Sequence, residues 1–109
     1  MSFSRVFLAL ALALALAPAA AQGGDVESLL NQAMVLAQAG RVPEAAPLFA
    51  RVAATAPDDA SVQFNAGYAH MQLRDYPRSL AYLERCIALN PGFREAHVKA
   101  ASVLRELNR

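Results

Sequence analysis

The feature that most constrains this chain is a recurrence: similar residues return at a constant spacing of 34 positions. Ala33, Gly67 and Ala101 stand one period apart, as do Leu36, His70 and Leu104. Pro43 is matched by Pro77, Ala45 by Ser79, Phe49 by Leu83, Arg51 by Arg85, Val52 by Cys86 and Pro57 by Pro91. A fixed period of this length marks a stack of supersecondary units, none large enough to bury its own apolar face alone.

Local signals say that each unit is a pair of helices. Asp25 is placed to cap a helix over about 26–39, and Gly40 is a natural stop. Pro43 and Pro77 sit where a first helical residue belongs, the place in a helix where proline costs least. Pro57 and Pro91 end the second helix of each pair, and Asp58 and Asp59 offer a cap to the next one. The expected helices are therefore about 26–39, 43–55, 59–73, 77–89 and 93–107. Pro47, one turn inside the second, removes one backbone bond and predicts a slight bend. Composition agrees. The chain is 56% hydrophobic and rich in alanine, the best helix former and one of little volume.

The period and its residue types resemble the tetratricopeptide repeat. Phe64, Asn65, Ala66, Gly67, Tyr68 and Ala69 match the small-residue first helix of that family, and Asp75 and Tyr76 its turn. Ser79, Leu83, Cys86, Ile87, Leu89, Asn90 and Pro91 match its second helix and exit; Leu29, Ala33, Leu36, Gly40, Ala45, Phe49 and Pro57 repeat the pattern earlier. The likeness runs over about 26–109, as repeats 26–59 and 60–93 and a partial one at 94–109. Departures are His70, Gln63 at a place usually large and apolar, and Arg74 in place of the common turn glycine. The resemblance implies an all-α, right-handed α-solenoid of antiparallel helix hairpins, about two and a half repeats long. The small residues Ala33, Gly67, Ala101, Ala45 and Ser79 would let helices approach closely, with Phe49 and Leu83 between them.

The fifth helix has no following partner in this sequence. Ala100, Ala101 and Leu104 are expected to pack back on the second repeat, with Val103 and Leu107 aimed where a sixth helix would lie. That face is either covered by a second copy or another protein, making a homo-oligomer or complex through 93–107, or it is an end cap with a partly wet side.

The first 21 residues read as a secretory signal peptide. Arg5 supplies the charge, residues 6–17 the apolar run, Pro18 a breaker and Ala19 to Ala21 the small-residue site, with cleavage between Ala21 and Gln22. The run is shorter than the roughly 20 residues a membrane-spanning helix needs. Residues 22–25 form a short linker. No cysteine follows the cut, which argues against a lipoprotein. The signal has a bacterial appearance, so the mature chain is expected in the periplasm, with secretion, or an anchor kinked at Pro18, as the alternatives.

Little in the sequence speaks for chemistry. There are 10 basic and 9 acidic residues, and removing Arg5 with the tag leaves nine of each. No basic stripe points to nucleic acid. His70, His97 and Cys86 lack a carboxylate at ligand spacing and read as packing residues, so neither metal nor cofactor is expected. No activated nucleophile frame or phosphate-binding glycine loop occurs. Cys86 cannot form an internal disulfide, being the one cysteine, and reads as a small buried side chain. The expectation is a protein without catalysis.

In the family, first helices line a concave groove where peptides bind. Carried over, the groove would hold Leu30, Met34 and Gln38, then Phe64, Tyr68, Met71 and Gln72, then Val98, Ser102 and Arg105. Methionine and tyrosine suit an adaptable contact surface. The Lys, Arg and Asn clamp by which some relatives hold acidic chaperone tails is matched only at Asn65 and Lys99. Leu30 and Met34 replace it in the first repeat, and Glu95 would repel a carboxylate. An apolar peptide or amphipathic helix is the expected partner, in an adaptor or complex subunit of the cell envelope.

Overall fold

A computed structural model describes residues 26–109; the export tag 1–21, the linker 22–25, the cut at Ala21 and Gln22 and the Asp25 cap lie outside the described residues. Five helices follow one another: α1 (Val26–Gln38), α2 (Val42–Thr55), α3 (Ala60–Gln72), α4 (Tyr76–Leu89) and α5 (Arg94–Leu107). Each packs chiefly on its neighbours in sequence, α1 with α2, α3 with α4, and α5 against α4. The architecture is an α-solenoid of helix hairpins, without a strand among the described residues.

Helix ends fall within about a residue of expectation because local chemistry sets them. Asp59 caps α3, its carboxylate accepting from the Ser61 and Val62 amides at 3.0 and 3.3 Å. Asp75 caps α4 through the Arg78 amide at 3.4 Å. Pro43 and Pro77 stand second in their helices, not first, still inside the turn whose amides need no partner. Pro47 is exposed, and α2 continues through it.

The two hairpin turns share one solution. The Gly40 and Arg41 amides donate back to Ala37 and Leu36, and those of Arg74 and Asp75 to Met71 and His70. This closure needs a left-handed residue. Gly40 supplies it at φ 79°, and Arg74 adopts φ 63° although it carries a side chain.

Two apolar clusters carry the stability. The first joins Ala33, Ala45, Phe49 and Val52 to Val62, Ala66 and Ala69 of α3. The second joins Leu83 and Cys86 of α4 to Ala96, Ala100 and Val103 of α5. Close approach is tightest at Gly67, where a Cβ would stand 2.9 Å from Cγ of Leu83. Beside it the Ser79 hydroxyl donates to the Gly67 carbonyl at 2.7 Å. Gln63, buried where an apolar residue is usual, is held by its amide donating to the carbonyls of Ala53 at 3.1 Å and Pro57 at 3.5 Å. Its Oε1 has no hydrogen-bond partner.

The fifth helix corrects one expectation. Val103, expected to face outward, is wholly buried, and Ala96 and Ala100 join it against α4. Ala101 and Leu104, expected to pack inward, are exposed, Leu104 to 44%. Leu107 is exposed as expected, at 42%. The reason is that a first helix has two working faces. One meets the preceding hairpin, the other meets its own partner helix, and Ala101 lies on the second.

Candidate partner-binding groove

Between α1 and α3 lies a depression of about 370 Å3, lined by Met34, Ala37 and Gln38 from α1, Phe64, Asn65, Tyr68, Ala69 and Gln72 from α3, and Phe49 from α2. Its walls are mainly apolar, with three amide side chains, Gln38, Asn65 and Gln72, among them. Met34 and Tyr68 remain about 40% and 37% exposed.

The aromatic side is braced. Phe64 stacks on Phe93 at 5.1 Å and on Tyr68 at 6.0 Å between ring centroids. The Lys99 ammonium lies 4.9 Å from the centre of the Tyr68 ring, a cation–π contact that steadies the ring. These contacts hold the Tyr68 ring in place although it is partly exposed.

Five of the expected groove residues, Met34, Gln38, Phe64, Tyr68 and Gln72, line this depression together. Met71 and Arg105, with Ser102, line a second one of about 370 Å3 that also includes Tyr76, Val103, Glu106 and Arg109. Leu30 is partly buried against the first cluster, and Val98, though 57% exposed, lines neither depression. Asn65, Ala37, Ala69 and Phe49 belong to the first depression although the row pattern did not select them. Phe49, expected between the helices of its hairpin, also lines the groove.

The candidate chemical groups are engaged in structure. His70 Nδ1 donates to the Ala66 carbonyl at 2.8 Å, and its ring tilts against Tyr82 at 5.4 Å. His97 Nε2 donates to the Pro91 carbonyl at 2.7 Å. Each nitrogen must carry the proton, since a carbonyl only accepts. Cys86 is buried, which pushes its thiol above the ordinary range and disfavours the reactive thiolate. Among the described residues, no group of three or more His, Cys, Asp or Glu side chains is arranged to hold a metal ion. The shortest ion pair among the described residues, Arg41 with Glu44 at 2.6 Å, lies exposed at the start of α2, away from the groove. The Arg41 guanidinium, by hydrogen bonding, holds the Glu44 carboxyl below its usual range.

Models of the tetratricopeptide repeat match residues 36–97 and 7–60. The chain belongs to the tetratricopeptide-repeat family. Among solved structures it is similar to a crystal structure of MamA, with a TM-score of 0.75 and 22% identity over 81% of this chain. It is similar also to the second repeat domain of Spaghetti (RPAP3) bound to an HSP90 peptide, with a TM-score of 0.72 and 17% identity over 82% of this chain and 83% of that one. The chain spans about half of the MamA chain, 52%. These likenesses establish the tetratricopeptide fold. No curated protein matches the chain. In tetratricopeptide-repeat proteins the fold typically serves protein–protein interaction, and this chain is a protein-interaction module of that kind.

Proposed function

We propose that the chain is a non-catalytic adaptor of the cell envelope whose concave groove takes an apolar peptide or the apolar face of an amphipathic helix. The observation that carries this is the depression between α1 and α3, where Met34 and Tyr68 stay partly exposed beside Phe64. No charged side chain lines it, so its specificity is for apolar side chains, with Gln38, Asn65 and Gln72 available to polar groups beside them. The peptide bound by the RPAP3 domain, SRMEEVD, is acidic. Here Met34 and Leu30 stand where a basic clamp would be needed, which favours a different class of partner.

The envelope setting rests on the amino-terminal sequence. Arg5, the apolar run 6–17, and the small residues ending at Ala21 are the parts of an export signal. Amino-terminal sequencing of protein recovered from a periplasmic extract is expected to begin at Gln22; a chain that retains Met1 and stays in the cytoplasm would remove this part.

The test of the groove is capture from envelope extract by the mature chain, followed by a direct affinity measurement on the captured protein. Tyr68→Ala and Met34→Glu are expected to weaken that affinity about tenfold each, in the range of a lost interface anchor, with helical content unchanged. Equal binding by both variants and the parent would take the concave face out of consideration.

A second reading has its own observation. Leu104 and Leu107 leave an apolar strip on α5, which suits a subunit joined to a larger complex through its last helix.

A further inference from the structure

One helix face has different surroundings in α1 from those in the two first helices that follow it. In α3 the row Val62, Ala66 and Ala69 is buried in the cluster shared with the first hairpin. In α5 the row Ala96, Ala100 and Val103 is buried in the cluster shared with α4. One period before them, Ser28, Gln32 and Val35 of α1 are all exposed, Val35 to 64%. Gln32 and Val35, with Asn31 and Leu36, line an open groove of about 380 Å3 whose surface is mainly apolar.

The sequence ahead of α1 matches that face in length, residue type and family pattern. Residues 56–59 join α2 to α3 and residues 90–93 join α4 to α5, and after each link the two helices pack together. Residues 22–25 form a link of the same length ahead of Val26, and Asp25 stands one period before Asp59, the cap of α3. Residues 8–21 then stand one period before α2 (Val42–Thr55). Ala46 and Ala53 of α2 are buried in the first cluster, and Leu80 and Ile87 of α4 pack against the second. The matching residues ahead of α1 are Leu12 and Ala19, both apolar. Pro18 falls inside this segment as Pro47 falls inside α2, which continues through its proline. The family match over residues 7–60 takes in the segment together with α1 and α2.

We propose that, while the export tag is attached, residues 8–21 lie on the Ser28, Gln32 and Val35 face of α1, and that cleavage between Ala21 and Gln22 uncovers it. The tag then serves both as an address and as a cover. No polar side chain occurs between Leu8 and Ala21, which suits the apolar groove at Val35. The release depends on the export reading above; the cover depends neither on that reading nor on the concave groove.

The full chain is made without export, so that Met1 is retained, and one thiol is introduced by Gln32→Cys or by Val98→Cys. Both positions are exposed on described helices, and the native Cys86 is buried. Alkylation by iodoacetamide is expected to be at least about tenfold slower at position 32 than at position 98, because it must wait for the cover to open. Signal peptidase, by removing residues 1–21, should raise the rate at 32 to that at 98. Ala19→Arg in the uncleaved chain should raise it too, through a charge set against an apolar face, whereas Tyr68→Ala should leave it unaltered. Melting gives a second measurement on the uncleaved chain. Val35→Glu should lower its melting temperature by at least about 4 °C, and Val98→Glu should not. Equal alkylation at 32 and 98 in the uncleaved chain, or equal melting of the two glutamate variants, overturns the proposal. So does protection at 32 that persists after the cleaved segment is removed, or that fades on dilution, since a second copy would then be the cover.

Discussion

Helices α3 and α5 are the same structural unit in two situations. Both present a row of small and apolar residues to the preceding hairpin, and in both that row is buried. Both present a second row one position further along. In α3 it is sealed by α4; in α5 it is open. The difference shows that in this chain a residue's environment follows from which neighbour exists, not from its residue type. Gly67 and Ala101 match in sequence, yet one meets Leu83 and the other meets solvent.

The widest gap is expected when the bulky members of the two faces are cut back. Leu83 is wholly buried, and Leu83→Ala should cost about 2–5 kcal/mol, through lost transfer energy and the cavity left behind. In a chain this small, that is a large share of total stability. Leu104→Ala, on the open face, should stay within about 0.5 kcal/mol. Chemical denaturation of both variants checks the pair, and equal losses would mean that the α5 face is covered in solution.

Enlarging the small members gives the next contrast. At Gly67 an added Cβ already crowds the Leu83 side chain and comes within 3.3 Å of its backbone nitrogen. Gly67→Val should cost about 1–3 kcal/mol through overpacking, partly offset by leaving glycine's helix penalty behind. Ala101→Val has open space and should change stability by no more than about 0.5 kcal/mol. Thermal melts that rank these two the other way round would break the register on which α3 and α5 are compared.

A finer test uses two serines. The Ser79 hydroxyl donates to the Gly67 carbonyl inside the hairpin at 2.7 Å; the Ser102 hydroxyl donates to the Val98 carbonyl at 3.2 Å on the solvent side of α5. Ser79→Ala should lose about 1 kcal/mol, the net value of a buried hydrogen bond. Ser102→Ala exchanges its bond for water and gains a better helix former, so its melting temperature should hold or rise slightly.

How far the sequence foretold this depends on the kind of interaction. Helix limits were legible because they rest on near neighbours: Asp59, Asp75, Gly40 and the four prolines at the helix starts and exits act within a turn of the chain. The close approach at Gly67, Ala45 and Ser79 was legible through the 34-residue recurrence. The α5 faces were not. Ala101 stands one period after Gly67, but among the described residues no helix covers it as α4 covers Gly67. Val103 aligns with Ala69, whose burial against the first hairpin carried the right answer. The concave site was half legible. Row spacing finds Met34, Phe64 and Tyr68, but not that Phe49 reaches the groove from α2 or that Lys99 lies over Tyr68. Those depend on side-chain reach across helices, which no spacing encodes.

The smallest expected effect concerns Cys86, which stands one period after Val52 and shares its burial. Burial raises the thiol's pKa. The unfolded thiol releases its proton near pH 8.5, while the folded one still holds it, so above that pH the native state binds more protons than the unfolded state. Stability is then fully present below about pH 8.5 and declines as pH rises toward the folded pKa. Cys86→Val, which installs the residue already used at position 52, removes the titrating group. Its denaturation midpoint should lose the part of the alkaline slope that belongs to the thiol, while differing little from the parent near neutrality. A parent and variant with identical slopes between pH 8 and 10 would mean that water reaches the sulfur, and that the contact between α4 and α5 is looser than the hairpin interior it otherwise matches.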